Sequence, residues 1–238
     1  MNHWLQKFFD HDTVFKCLNW SRQSSVDWRS FCSEVTVNWL NNQEPIGGQG
    51  VIVEIDETFF VKQKYNRGRE LRQIWLFGGI ERESKKKFIV PLHRQDQDRS
   101  ARTLIPLIKQ YIKSGSIVIS DGWLAYKNLS KEGYTHRVIN HSENFVDPDD
   151  PTVHTQTIER QWRNLKEWTK RPGLRTQYFE QYFGRYLFLD NFREAPHHQF
   201  FLEAGKLYPP HGTRERPSSQ EEEEEEEDDP QPETSDSD

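Results

Sequence analysis

Three carboxylates, Asp56, Asp121 and Glu159, are the residues of this sequence best placed to do chemistry together. Asp56 lies near the end of an apolar, β-branched run at residues 51–58, and Asp121 ends a second run of the same kind. Carboxylates that converge raise each other's pKa unless a cation lies between them. Mg²⁺ and Mn²⁺ prefer oxygen ligands, and two such ions about 3.5–4 Å apart can activate a water or a 3′-hydroxyl against a phosphodiester.

Each acid also has a simpler interpretation. An aspartate at the end of a strand can face solvent, and this is the more usual outcome for either aspartate alone. Glu159 begins a helical stripe that continues through Arg163 to Lys166, so one helix face presents an acid and then two cations. Such a stripe suits a scissile phosphate followed by more backbone, but a solvated helix face gives the same spacing.

The elements that must position these acids follow from periodicity and breakers. The sequence predicts strands at 51–58, 74–80, 87–92, 116–121 and 135–139, and helices at 103–112, 157–170 and 177–192. The first three strands are joined by short polar segments and should form an antiparallel meander. The strand with Asp121 follows a helix and should lie beside the strand with Asp56. Residues 51–195 are therefore predicted as a ribonuclease-H-like α/β domain, a mixed sheet flanked by helices.

The two ends of the chain differ from this domain. Residues 1–45 predict a small helical region of two short helices, the second over about residues 26–40 with Ser25 or Asp27 as its N-cap. This region is either a helix-turn-helix that contacts DNA or a packing element. Residues 219–238 hold 12 of the 38 acidic residues and none of the 32 basic ones, so the rest of the chain carries a net charge of +6. Residues 210–238 predict a disordered acidic tail, because they have almost no apolar surface to bury.

Composition excludes several classes. The only cysteines, Cys17 and Cys32, match no zinc motif and are too few for a disulfide framework. The chain has no signal-peptide pattern and no run of about 18 apolar residues, which predicts a soluble protein inside the cell that is not secreted and has no membrane partner.

A basic segment separates the first two strands of the domain. It carries five cations within residues 62–72: Lys62, Lys64, Arg67, Arg69 and Arg72. A solvated hairpin tip and a contact with nucleic-acid phosphates explain this composition equally well.

Several motifs in this order resemble those of the DDE transposases of the Merlin superfamily and related bacterial insertion-sequence (ISXO-like) transposases. They are VEIDET at 53–58, RGR at 67–69, WLFG at 75–78, SDGW at 120–123 with Tyr126, NHS at 140–142, and HTQTIE at 154–159 with Trp162 and Lys166. The resemblance extends over about residues 51–192. It implies a DNA transposase that works by cut-and-paste: hydrolysis at the ends of an element, then attack of the freed 3′-hydroxyl on target DNA.

The resemblance also implies a site. Asp56, Asp121 and Glu159 become ligands of Mg²⁺ or Mn²⁺, in two ions, and Lys166 joins them as a catalytic residue. The residues expected to contact DNA are Arg67, Arg69, His154, Arg163, Lys166 and Lys170. Partners would be the DNA of the transposon ends and of the target, together with further copies of the chain in a homo-oligomer, and no small organic cofactor. In a eukaryotic host the protein would be nuclear; in a bacterium it would lie in the cytoplasm or nucleoid.

The sequence departs from the family in three ways: it has no cysteines for an N-terminal zinc ribbon, Gln156 stands where relatives commonly have asparagine, and the acidic tail is extra. These departures bear on the recognition of element ends and leave the three acids in place. One alternative is a domesticated, transposase-derived protein that binds DNA or chromatin without transposing. Another is a host nuclease of the same fold, which would lack strand transfer.

Overall fold

The computed structural model describes residues 19–60, 74–92, 98–139, 153–169 and 176–209. The elements in these ranges are α1 (Arg22–Asn41), β1 (Ile46–Gly47), β2 (Ile52–Phe59), β3 (Trp75–Glu81), β4 (Lys87–Leu92), α2 (Ala101–Tyr111), β5 (Ile112–Lys113), β6 (Ile117–Asp121), β7 (Thr135–Ile139), α3 (Gln156–Trp168), α4 (Phe179–Asn191) and α5 (Pro196–Leu207). Short 3-10 turns lie at Leu124–Tyr126, Leu129–Glu132 and Thr176–Tyr178. No helix in the described ranges has the length and apolar character that crossing a membrane requires.

Five strands form one mixed sheet in the order β4-β3-β2-β6-β7. The pairs β2–β3 and β3–β4 are antiparallel, whereas β6 runs parallel to β2 and β7 parallel to β6. The predicted meander and the predicted place of β6 beside β2 are both confirmed. The fold is the ribonuclease-H-like α/β arrangement expected from the sequence.

Alternation along the strands gives the sheet two apolar faces, because successive side chains point to opposite sides. Leu76 and Ile80 of β3 join a core with α1, α3, α4 and α5. Phe77, between them in the strand, joins a second core with α2 on the other face. Both faces are therefore covered by helices, and β2 lies at the centre of the sheet with Asp56 held in a fixed position.

The structure differs from the sequence prediction at the edges of several elements. α1 begins at Arg22, because the Ser21 side chain accepts a hydrogen bond from the Ser24 backbone N–H at 3.0 Å and caps the helix. α1 also packs against α4 in the same core, where the Trp39 ring lies 5.3 Å from that of Phe188.

Two further elements were not predicted. The prediction made 177–192 the last helix, which is wrong, since α5 follows it and buries Phe200. The small parallel pair β1–β5 was also missed.

Four predicted features lie outside the described residues. They are the first N-terminal helix with Cys17, the basic segment with Arg67 and Arg69, Lys170, and the acidic tail.

Candidate active site

Asp56 lies on β2 opposite Gly78 of β3, where Trp162 of α3 crosses the sheet. The Trp162 indole Nε1–H donates a hydrogen bond to Asp56 Oδ2 at 3.0 Å. A Cβ atom on Gly78 would lie 2.5 Å from Cη2 of Trp162 and 2.9 Å from the carbonyl oxygen of Phe88. Because Gly78 has no side chain, the Trp162 indole can pack against this position and donate its hydrogen bond to Asp56.

Asp121 reaches the same part of the sheet through strand register. The parallel ladder pairs Ile52 with Ile117 and ends at the pair of Glu54 with Ile119, two residues before Asp56 and Asp121 on their strands. The charge of Asp121 acts on Asp56 from this position. The carboxylate also turns the chain after β6, since its Oδ1 accepts a hydrogen bond from the Trp123 backbone N–H at 3.1 Å.

The surroundings of Asp56 disfavour its ionised form. Burial is the main reason that its pKa is raised from 3.8 to about 7, and the nearby charges of Glu57 and Asp121 raise it further. The Trp162 hydrogen bond acts in the opposite direction. A cation beside Asp56 would remove this penalty, and carboxylate oxygens are the donors that a hard divalent ion prefers.

Glu159 lies in the first turn of α3 and accepts a hydrogen bond from Thr155 Oγ1 at 3.3 Å. Asp56 and Glu159 line one open cavity of about 410 Å³. Its other lining residues are Thr58, Trp162, Arg163, Lys166 and Glu167. Within the cavity, Lys166 Nζ donates a hydrogen bond to Thr58 Oγ1 at 2.6 Å, which places this cation beside the strand that carries Asp56.

The structure thus relates Asp56 to each of the other acids separately. Asp121 interacts with it electrostatically, and Glu159 shares its cavity. In the part of the chain that the structure describes, no three histidine, cysteine, aspartate or glutamate side chains are grouped closely enough to hold a metal ion. The roles of Asp56, Asp121 and Glu159 as joint ligands stay a prediction.

Glu54 connects the strand of Asp56 to the helix of Glu159. Its side chain is fully buried, and Oε2 accepts hydrogen bonds from the backbone N–H groups of Thr157 and Ile158 at 2.8 and 2.9 Å. These donors belong to the first turn of α3, where helices favour a negative charge. Oε1 lies 2.8 Å from Nη2 of Arg82. Glu54 is a positioning residue, because it sets the first turn of α3 against β2.

His154 belongs to this buried cluster. Its backbone oxygen accepts a hydrogen bond from Arg82 Nη2 at 2.9 Å, and its Nδ1 lies 3.6 Å from Glu54 Oε1. The imidazole does not line the cavity of Asp56 and Glu159. Arg163 does line that cavity with an exposed side chain. The predicted DNA contacts of both residues stay predictions.

A second buried cluster holds the segment after Asp121 from the other side. Glu57 accepts hydrogen bonds from Tyr126 and, at 3.1 Å, from Arg99. The Arg99 guanidinium lies 4.2 Å from the ring centre of Trp75 and 4.4 Å from that of Trp123, whose indole donates to the Arg99 backbone oxygen at 2.8 Å. Burial raises the pKa of Glu57 against the opposing effect of Tyr126 and Arg99.

Sequence reasoning assigned no role to Glu54, Glu57 or Gly78, and it used Trp162 as part of a motif of the family resemblance. A signal was present for Glu54, because a glutamate in the middle of a strand that is buried on both faces needs a partner. Trp162 is buried, but its polar edge also serves Asp56. No local sequence pattern shows that position 78 needs a glycine, because that need arises from the Trp162 ring that packs against it in the fold.

We expect Gly78→Ala to lower the free energy of unfolding by about 1–3 kcal/mol, because the added methyl group collides with Trp162. It should also break the hydrogen bond to Asp56 and shift the indole N–H resonance of Trp162, identified with a Trp162→Phe variant. Gly205→Ala is the matched control. A Cβ there meets no atom within 4 Å, so this helix substitution should be neutral or stabilising. Equal unfolding midpoints for the Gly78 variant and wild type would contradict the packing argument.

The pKa of Asp56 also predicts a pH dependence of stability without added metal. Between pH 4 and pH 7 the folded protein binds a proton at Asp56 that the unfolded chain has released. The free energy of unfolding should therefore fall as pH rises through this window and level off above it. Asp56→Asn should flatten the curve and stabilise the protein at pH 8, as measured by urea unfolding. Glu44→Gln, at an exposed ion pair, should retain the wild-type slope.

Comparison with known proteins adds a family and two weak structural likenesses. The model of the ISXO2-like transposase domain matches residues 47–194. The catalytic core domain of BIV integrase aligns at 15% identity and a TM-score of 0.40, covering 66% of this chain and 97% of that one.

A chain of the simian T-cell lymphotropic virus intasome, in complex with PP2A regulatory subunit B56 gamma, aligns at 15% identity and a TM-score of 0.35. This alignment covers 73% of the present chain and 63% of the other. Both likenesses are low, and nothing about activity follows from them. No match was found among curated proteins.

Proposed function

We propose that this chain, which belongs to the ISXO2-like transposase family, cuts DNA and transfers the cut strand at the cavity beside Asp56. The observation that carries this proposal is the position of Asp56, which lies near enough to Asp121 for their charges to interact and shares a cavity with Glu159. The raised pKa of Asp56 supports it, since such a group gains most when a cation binds beside it.

Asp56, Asp121 and Glu159 would hold Mg²⁺ or Mn²⁺, in two ions. Bound there, the metal would supply Lewis-acid activation of the phosphodiester and a nucleophile at neutral pH. The chain's own contribution is orientation. Trp162 aims the Asp56 carboxylate, and Glu54 holds the first turn of α3.

Lys166 and Arg163 supply positive charge at the same cavity. Thr58 holds the Lys166 ammonium beside β2, and Arg163 makes no hydrogen bond or ion pair with another described residue. A DNA phosphate entering the cavity would meet both cations. Arg67, Arg69, His154 and Lys170 are proposed as further DNA contacts, on the family resemblance.

The proposal extends to partners and location. The DNA would be the ends of a mobile element and its target, joined in a cut-and-paste reaction by a homo-oligomer of this chain. The protein would act in the nucleus of a eukaryotic host or in the cytoplasm or nucleoid of a bacterium.

The test is a calorimetric titration of Mn²⁺ into wild type and Asp121→Ala, with and without a nicked duplex. We expect wild type to bind the metal and cleave the DNA, and the variant to lose both. Glu44→Ala removes an exposed carboxylate that does not line the cavity and should behave as wild type. Binding of DNA without metal binding or cleavage would reject the proposal and favour the DNA- or chromatin-binding alternative.

A further inference from the structure

We propose that a second groove, on the other flank of α3, binds a backbone phosphate of the same DNA that enters the cavity beside Asp56. This inference rests on the proposed function. The groove has a volume of about 490 Å³ and lies between the β3–β4 turn, α3 and the end of α4. We call it the α3–α4 groove. Its charged lining residues are Lys85, Lys87, Arg160, Arg193 and Asp190.

Charge is the first argument. Four of these residues are cations and one is an anion, which leaves about +3 in one concave site with neutral histidine. Amide side chains from Gln156 and Asn164 add hydrogen-bond donors. Concentrated positive charge with amide donors is the chemistry that recognises a phosphodiester anion without reading base sequence.

The floor of the groove is a buried polar network. Lys87 forms an ion pair with Asp190, and both side chains are nearly buried, at 11% and 10% exposure. Lys87 Nζ also donates to Gln161 Oε1 at 3.2 Å, and Gln161 Nε2 donates to the Tyr186 hydroxyl at 3.1 Å. Buried polar networks of this kind hold their members in one arrangement when every member is paired. This network therefore keeps the floor of the groove in one arrangement.

Two exposed cations at the edge of the groove, Lys85 and Arg160, are available to bind a phosphate. Arg160 is exposed, and its side chain makes no hydrogen bond or ion pair with another described residue. Lys85 is exposed. Its backbone φ is 62°, in the left-handed region that residues other than glycine rarely adopt. Its Nζ donates only to a backbone oxygen, that of Arg82, at 2.5 Å. Neither charge is neutralised by a carboxylate within the described ranges.

Geometry joins the groove to the active-site cavity. Arg160 lines the α3–α4 groove, and Arg163, three residues later on the same helix, lines the cavity of Asp56 and Glu159. Residues three apart are neighbours on a helix surface and differ by about 4.5 Å along its axis. A backbone that crosses α3 would meet both arginines in succession.

The test measures the salt dependence of DNA affinity. The probe is a nicked duplex, titrated into the full chain without divalent metal so that it is bound and not cleaved, at salt concentrations between 50 and 200 mM. The variant is Lys85→Gln with Arg160→Gln, and the matched control is Lys109→Gln with Lys113→Gln. The control removes equal charge from exposed pairs with Glu132 and Glu44.

We expect the groove variant to bind at least about tenfold more weakly at 100 mM salt. The slope of log K against log salt should shrink by about 0.9 for each lost phosphate contact. The control should keep the wild-type slope, and Arg160→Lys should restore part of it. Mn²⁺ binding should not change in any of these variants, which separates the groove from the metal site and shows that they are folded.

A wild-type slope in the groove variant would overturn the groove proposal while the proposed function stands. An equal loss of slope in the control would also overturn it, because general charge would then explain the effect. Failure of wild type itself to bind the duplex would reject the proposed function and the groove with it.

Discussion

Replacing Asp56 by asparagine is expected to slow metal-dependent DNA cleavage by about 10³-fold or more. The side chain keeps its shape but loses the charge that would hold a divalent ion. Charge stabilisation by such an ion supplies several kcal/mol in the transition state, and about 1.4 kcal/mol corresponds to a tenfold change in rate. Folding should survive, because the Asp56 carboxylate is buried at a cost that is relieved when it is neutral.

The measurement is single-turnover cleavage of a nicked duplex in Mn²⁺, with urea unfolding of the same preparations. Asp121→Asn and Glu159→Gln should show losses of similar size if the three acids act as one site. Glu44→Gln is the control and should cleave at the wild-type rate. A rate for Asp56→Asn within threefold of wild type would place the chemistry elsewhere in the molecule.

Glu54→Ala is expected to lower the free energy of unfolding by about 3–5 kcal/mol. The substitution removes the carboxylate that forms an ion pair with the Arg82 guanidinium, and it leaves two N–H donors of α3 without their acceptor. An exposed pair gives the contrast: Glu44→Ala breaks an ion pair with Lys113 and should cost at most about 1 kcal/mol. Urea unfolding of the metal-free protein measures both.

Glu54→Gln separates positioning from stability. The amide oxygen can still accept from Thr157 and Ile158, so the variant should fold, but it no longer neutralises Arg82. With α3 less firmly held, we expect weaker Mn²⁺ binding and slower cleavage at an unchanged pH of half-maximal rate. Adding Arg82→Gln should recover stability, and a double-mutant cycle would report the coupling. Strict additivity of the two substitutions would contradict the coupling of β2 to α3.

Local signals in the chain were strong where elements are regular. Thr135–Ile139 was predicted with the bounds that the structure shows, and β4 likewise. Short apolar runs between breakers can hardly form anything but strands, and their order along the chain restricts the sheet to few topologies. The ends of the elements were predicted less accurately. Ser21 caps α1, but other serines nearby in the sequence fit the role of N-cap equally well.

The sequence by itself determined the order of the five strands of the main sheet and of α2, α3 and α4 along the chain, the three candidate acids, and the resemblance that points to DNA transposition. These depend on periodicity and residue type, which are local properties. Tertiary structure decided which residues meet: the strand pairing that brings the charge of Asp121 near Asp56, the glycine that admits Trp162, and the glutamate that ties α3 to β2. Each of these contacts joins residues distant in sequence, so it depends on register and packing, and no local pattern encodes it.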